Sequence, residues 1–291
     1  PDTGLVYIPV NEIPFFYDKT RNVEDSKSFW NIGYDAAAGW PVEYPAGTLD
    51  AVRDLDGGSL LAWDPVKAEP RWAVPFPLPL NGGVLSTQAG LVFQGNKFGE
   101  FVAYDAETGE RLWADKLVGN AAAAPMTYEI DGEQYLSVLS GWGSVSSLIA
   151  GFTYGEAKSK EPARVITFKL GGDGDMPAAL VDNVVRTPQS PMFGEPDQHQ
   201  LGMQRYAESC HFCHGAFAVG GGVVPDLRWS ALAGNEQAWD LVVREGALEK
   251  QGMVSFAGRL SKEDTDAIRA YVVQQAWLAV ANGDALPPQD G

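Results

Sequence analysis

Cysteine is nearly absent from this chain: Cys210 and Cys213 are the only two among 291 residues. Two thiols cannot build the disulfide framework that staples small secreted folds. Histidine is almost as scarce, limited to His199, His211 and His214. A structural zinc site needs four ligands, and the second cysteine pair that would supply them is missing. Basic residues are outnumbered, 21 Lys and Arg against 38 Asp and Glu, for a net charge of −17. That balance argues against nucleic acid or an anionic membrane surface as partner. It suits a basic docking partner, and it equally suits solubility with no partner at all. No run of 18 apolar residues occurs, so no membrane span is expected. No apolar leader opens the chain. Pro1-Asp2-Thr3-Gly4 runs at once into the strand-like Leu5-Val6-Tyr7-Ile8-Pro9-Val10, which has the look of a processed piece or a partial chain.

Glycine and proline are plentiful, at 33 and 19, and favour many tight turns over long helices. A hydrophobic content of 45% over this length supports two domains with real cores.

The two cysteines fall in Cys210-His211-Phe212-Cys213-His214. C-x-x-C-H is the attachment signature of a c-type haem. At this spacing each thiol can add to one vinyl group on the same porphyrin edge. The following histidine then lies under the ring, where its imidazole can bind iron. A redox disulfide of the thioredoxin kind is the competing reading, but it asks for a preceding strand and a βαβ context that the pattern lacks. Covalent haem of this type implies a periplasmic or other extracytoplasmic site.

The first 175 residues read as a repeated β unit. Leu61-Ala62-Trp63-Asp64 leads to Arg71-Trp72, and Val102-Ala103-Tyr104-Asp105 leads to Leu112-Trp113. The two units lie 41 residues apart, and the aspartate-to-tryptophan offset is 8 in both. The second copy reads as strand, tight turn at Thr108-Gly109, strand. Gly90-Leu91-Val92-Phe93-Gln94-Gly95 and Gln134–Ser140 are further strands. A period near 40 with four short strands per unit is what a β-propeller blade needs. Trp72 and Trp113 are then expected to pack between adjacent blades.

The Ala-x-Asp-x-x-Thr-Gly-x-x-x-Trp unit, Asn81-Gly82-Gly83 before it and Gly141-Trp142-Gly143 after it resemble pyrroloquinoline-quinone (PQQ) dehydrogenases. With a C-x-x-C-H segment following, the sequence most resembles the quinohaemoprotein alcohol dehydrogenases, over nearly its whole length. The resemblance implies an all-β propeller, here its C-terminal blades only, followed by an all-α cytochrome c domain. The expected divisions are 1–175 for the blades, 176–199 for a linker and 200–291 for the cytochrome domain. It implies a quinone beside a calcium ion, with the calcium ligands and the catalytic base outside these residues. No catalytic residue is therefore assigned here, and an N-terminal propeller half, as a separate chain or further sequence, is the expected partner. Half a ring would leave two open blade faces with exposed apolar surface.

Asn81 and Gly82 are the candidate quinone contacts, since glycine lets main chain approach a flat ligand. An ordinary turn before a strand explains the same residues. Trp142 either touches the pocket or packs a blade. The aromatic-dense stretch from Phe15 to Tyr44 sits where the resembled family has an insertion near the pocket mouth, so it is expected to line a substrate entrance or to pack on itself.

From Gln200 the period turns helical, with Leu201, Tyr206 and Ala207 on one side. Asn235 reads as an N-cap for a helix stopped at Gly246, and Ser261-Lys262-Glu263-Asp264 as a capping box for a helix placing Ile268, Tyr271, Val272 and Gln275 on one side. Met253, 39 residues after His214, matches the family's Gly-Met-x-x-Phe segment and is the expected sixth iron ligand. A thioether there raises the reduction potential relative to a second imidazole. Met203 reads as core and His211 as pointing away. Pro225 matches the position whose carbonyl accepts the ring N–H of the proximal histidine, which fixes the imidazole. The resemblance implies alcohol oxidation at the quinone, electron passage to the haem, and release to a small copper protein or cytochrome. The alternative is a plain electron carrier that uses the β region as a docking surface.

Overall fold

The computed structural model describes residues 3–13, 54, 57–141, 163–178, 186–220 and 224–283. These fall into two compact units, one containing the described residues up to 178 and the other those from 186 onward.

The first unit holds three antiparallel sheets. Strands β1 (Val6–Glu12), β2 (Gly57–Asp64) and β3 (Glu69–Phe76) pair in chain order. Strands β4 (Val84–Ser86), β5 (Leu91–Gly95), β6 (Glu100–Asp105) and β7 (Arg111–Lys116) form a four-stranded sheet, also in chain order. The third sheet is β8 (Met126–Ile130), β9 (Glu133–Ser140) and β10 (Arg164–Lys169), with β9 central. The sequence repeat is visible in hydrogen bonds. Asp64 Oδ1 accepts from the Val66 and Lys67 N–H groups, both at 3.0 Å. Asp105 Oδ1 accepts from Glu107 N–H at 2.9 Å and Thr108 N–H at 2.8 Å. Each aspartate thus closes its own turn, as Asx turns do. The register also shifts at the same place in both copies, between Ala62 and Trp63 and between Ala103 and Tyr104. One difference stands out: the turn ends in Gly109 at φ 75° in the second copy but in Ala68 at φ 55° in the first.

Alternation along the strands sends one set of side chains to each neighbouring sheet. Leu60, Val92, Val102 and Tyr104 form one buried cluster between the first two sheets, with Tyr7, Trp72 and Val74 against it. Phe101, Leu117, Ala121 and Val138 form another between the second and third, with Phe93, Leu136 and Phe168 against it. Burying each such side chain contributes about 1.5–3 kcal/mol. Trp72 donates its indole N–H to the Ala106 carbonyl of the next sheet at 3.2 Å. Trp113 meets the Phe168 ring edge-on, with centroids 5.2 Å apart. Both tryptophans therefore pack between sheets, as the repeat implies. On the far face of the third sheet no described residue covers Leu139, 52% exposed, or Val165, 68% exposed, and Met126 and Ile130 are exposed too.

The second unit is helical. Helix α1 (Pro196–Ser209) leads into a single turn, α2 (His211–His214), followed later by α3 (Glu236–Val243) and α4 (Lys262–Ala281). Helix α1 starts at Pro196, four residues before the expected change at Gln200, because a proline is at home in a helix's first turn, where its missing N–H costs nothing. Asn235 caps α3 by accepting from Ala238 N–H at 2.9 Å, and Gly246 follows at φ 73°. The capping box at Ser261 and Asp264 is present in both directions. Ile268, Tyr271, Val272 and Gln275 are buried as expected, but so are Ala267, Ala270, Val273, Gln274 and Ala276. Helix α4 is covered on more than one side, which corrects the one-sided reading. Gly202 of α1 packs against it so closely that a Cβ there would lie 2.1 Å from the Ala267 carbonyl oxygen. Arg205 ties the two helices further, its Nε donating to Asp264 at 2.8 Å while Nη1 donates to Glu208 at 2.8 Å. Among the described residues no helix is long and apolar enough to cross a membrane.

Candidate haem and quinone sites

Cys210 closes α1, its N–H donating to the Tyr206 carbonyl at 2.8 Å. The chain then makes one more turn, so that Cys213 N–H and His214 N–H both donate to the Cys210 carbonyl, at 3.1 and 3.0 Å. Gly215 ends the turn at φ 76°. Tyr206, fully buried, donates its hydroxyl to the Gly215 carbonyl at 2.7 Å and fixes the turn to α1. This lock escaped the sequence reading. A signal was available, because Tyr206 lies one helical turn before Cys210.

Both thiols are unbonded, Cys210 buried and Cys213 exposed. Burial, with Cys213 beside it, pushes the Cys210 thiol up to about 12. It stays neutral, and a thioether formed from it would carry no charge for burial to penalise. His214 is 9% exposed and its Nδ1 lies 3.0 Å from the Pro225 carbonyl oxygen. A carbonyl can only accept, so Nδ1 carries the proton and Nε2 keeps its lone pair. Burial pulls the imidazole below its ordinary range, opposed by the Pro225 carbonyl and the Asp226 carboxylate. Neutral imidazole is the form that binds metal. Asp226 in turn grips Arg228, accepting from Nε at 3.0 Å and Nη2 at 2.7 Å. That fork steadies the segment carrying the Pro225 carbonyl.

Met253 follows Gly252, which turns at φ 97°. Its N–H donates to the Leu248 carbonyl at 3.1 Å, and Phe256 N–H to Val243 at 2.9 Å. The side chain packs against the apolar cluster that contains Cys210, Tyr206 and Phe256. Met203 is 3% exposed in that cluster. His211 bonds through Nδ1 to the Ala207 carbonyl of α1, and burial lowers it to about 4. His199 Nε2 lies 2.8 Å from the Phe193 carbonyl. Two thiols not joined as a disulfide, a neutral imidazole with an anchored Nδ1, and a thioether form the donor set that a covalently held haem requires. These residues fit that group.

In the first unit, Asn81 and Gly82 lie where three chain segments meet. Asn81 donates to the Leu78 carbonyl at 2.7 Å and accepts from Lys97 N–H at 3.3 Å. Gly82 N–H donates to the Gly95 carbonyl at 2.8 Å, and the Gly82 carbonyl accepts from the Gln94 side chain at 2.7 Å. A Cβ at Gly82 would lie 2.4 Å from the Ala121 carbonyl oxygen, and one at Gly83 2.7 Å from the Ala124 Cβ. The protein's own packing thus demands both glycines. Around them lie buried Gln94, Asn96, Lys97 and Asn120, which the sequence reading passed over. Burial brings the Lys97 ammonium down to about 8. The Gln94 carbonyl oxygen and both amide atoms of Asn120 are buried without a hydrogen-bond partner. These polar atoms have almost no accessible surface, so among the described residues they face protein and not an open pocket. Trp142 and the aromatics from Phe15 to Tyr44 lie outside the described residues.

Residues 45–136 match the glucose/ethanol/alcohol dehydrogenase β-propeller domain family, and residues 197–272 the family described as cbb3-type cytochrome c oxidase subunit III. Quinohemoprotein alcohol dehydrogenase ADH IIB of Pseudomonas putida is 40% identical over 95% of this chain and 39% of its own length. The solved structure of ADHIIG from Pseudomonas putida HK5 superposes with a TM-score of 0.85 at 34% identity, covering 98% of this chain and 41% of that one. The quinohemoprotein alcohol dehydrogenase of Comamonas testosteroni gives a TM-score of 0.71 at 30% identity, covering 95% and 39%. The chain therefore spans about two fifths of the length of the relatives it matches.

Proposed function

We propose that this chain, which belongs to the quinohaemoprotein alcohol dehydrogenases over the part of their length that it spans, takes electrons from alcohol oxidation at PQQ and delivers them through a covalent haem c. Bound PQQ supplies the two-electron acceptor and haem c the one-electron outlet. The carrying observation is the turn at Cys210–His214, with His214 Nδ1 held 3.0 Å from the Pro225 carbonyl. Cys210 and Cys213 would hold a haem through thioether bonds, and His214, with its Nε2 lone pair free of the Pro225 bond, and Met253 are the residues that would bind its iron. The Pro225 carbonyl orients the imidazole and raises its basicity. Asn81, half-buried, and Gly82 would be the residues of this chain nearest the quinone edge.

We assign the calcium ligands and the base that takes the alcohol proton to a complementary propeller half, on the same polypeptide or another. The uncovered face of the third sheet supports that assignment, since Leu139 and Val165 stand exposed where a neighbouring blade would bury them. Periplasmic placement and a small copper protein or cytochrome as acceptor belong to the same proposal, and the net charge of −17 suits a basic acceptor surface.

The test is haem reduction in the intact protein, loaded with PQQ and calcium, on adding primary alcohols. A pyridine haemochrome spectrum establishes the haem independently. Haem that stays oxidised with every alcohol while quinone is bound sinks the proposal. Haem without any quinone uptake favours the electron-carrier alternative.

A further inference from the structure

The last carbonyls of an α-helix have no partner within the helix and must find one outside it. At the end of α3 two of them are taken by the segment just after Met253. Phe256 N–H donates to the Val243 carbonyl at 2.9 Å, and the Ser255 hydroxyl donates to the carbonyl of Arg244, which caps the helix. Ser255 is pinned a second time, its N–H donating to the Glu249 carboxylate at 3.3 Å. It fills the second free position of the Gly-Met-x-x-Phe segment.

Little else holds this loop. From Glu245 to Arg259, Phe256 alone is buried, while Met253 and Ser255 are half-buried. Leu248 and Val254 stand exposed on either side of Met253. The other backbone bonds near the methionine stay inside the loop, Gln251 N–H to Leu248 at 2.9 Å, Gly252 N–H to Glu249 at 3.0 Å and Met253 N–H to Leu248 at 3.1 Å. A segment with few buried apolar contacts and exposed backbone bonds opens locally at small cost. The place of Met253 therefore depends on the Phe256 ring in the apolar cluster and on the polar pin at Ser255.

We infer that Ser255 is a positioning residue for the sixth iron ligand: its hydroxyl, through the Arg244 carbonyl, and its N–H, through Glu249, hold the Met253 thioether in place against competing ligands. This rests on the reading that Met253 binds the haem iron. A thioether is a soft, neutral donor, so its hold on ferric iron is weak and depends on how firmly the loop presents the sulfur. A competing ligand reaches the iron only in molecules whose loop is open, and its apparent affinity scales with that fraction. Losing one such hydrogen bond raises the fraction about fivefold.

The test titrates the intact ferric holoprotein with imidazole and reads the far-red band of thioether-ligated haem, with denaturant midpoints measured alongside. Ser255→Ala should show the full band before imidazole is added and lose it at about fivefold lower imidazole than the wild type. Ser255→Thr, which keeps the hydroxyl, should restore the wild-type midpoint. Glu249→Ala, at an exposed position, should lower the imidazole midpoint roughly threefold, and it carries the comparison should Ser255→Ala fail to fold. An unchanged imidazole midpoint in Ser255→Ala, with the band present in the wild type, overturns the inference and leaves Met253 as the ligand. A lower denaturant midpoint with an unchanged imidazole midpoint also overturns it, by assigning Ser255 to stability alone. A wild type without the band removes the Met253 reading and this inference together.

Discussion

The ring nitrogen Nδ1 of His214 lies 3.0 Å from the carbonyl oxygen of Pro225, eleven residues further along the chain. This bond settles the tautomer, the ring plane and the direction of Nε2 together. The residue is buried, so no water competes for the imidazole.

The opposite ligand is tested by Met253→Ala. The haem should remain attached, because both thioethers and His214 are untouched. Its midpoint potential should fall and the far-red band of thioether-ligated ferric haem should vanish. An unchanged spectroelectrochemical titration excludes Met253 as ligand.

The two thiols differ in reach. In haem-free protein at pH 8, an alkylating reagent should label exposed Cys213 and spare Cys210, which burial keeps neutral with its thiol at about 12. Peptide mass mapping reads the ratio. Equal labelling contradicts the buried position of Cys210.

The repeated turn offers a paired experiment. Ala68 holds φ 55° where Gly109 holds 75°. Ala68→Gly removes the left-handed strain and should stabilise the sheets by up to about 1 kcal/mol. Gly109→Ala should destabilise by roughly 1–3 kcal/mol, because its Cβ would sit 2.7 Å from the Trp72 ring. Denaturant midpoints measure both.

Lys97 should give the first unit an unusual alkaline response. Its folded value of about 8 lies below the ordinary lysine value, so between these the unfolded chain binds more protons. Stability therefore rises as pH climbs from about 8 to about 10, by roughly 3 kcal/mol at most. Lys97→Met should abolish that slope, and chemical denaturation at several pH values compares the two proteins. A parallel slope in the variant would assign the effect elsewhere.

Legibility from sequence followed the range of the interactions. The turn at Asp105–Gly109 was readable because Asp105, Thr108 and Gly109 satisfy one another within five residues. The caps at Asn235 and Ser261 were readable for the same reason. The start of α1 at Pro196 is not visible in the apolar periodicity, because the first turn of a helix needs none, only the proline that opens it. The pattern of α4 shows one apolar side only, because the small Ala267 and Ala270 and the polar Gln274 do not by themselves announce burial. Only the elements packed around them reveal it.

The sequence by itself determined the haem attachment turn and the β repeat, since both are set by residues a few positions apart, where backbone geometry leaves few choices. Tertiary structure alone decided how deeply Cys210 is buried and that the Asn120 amide is left without a partner while that of Asn81 is satisfied. Those outcomes depend on which distant segments come to rest against each residue, and no local pattern encodes that.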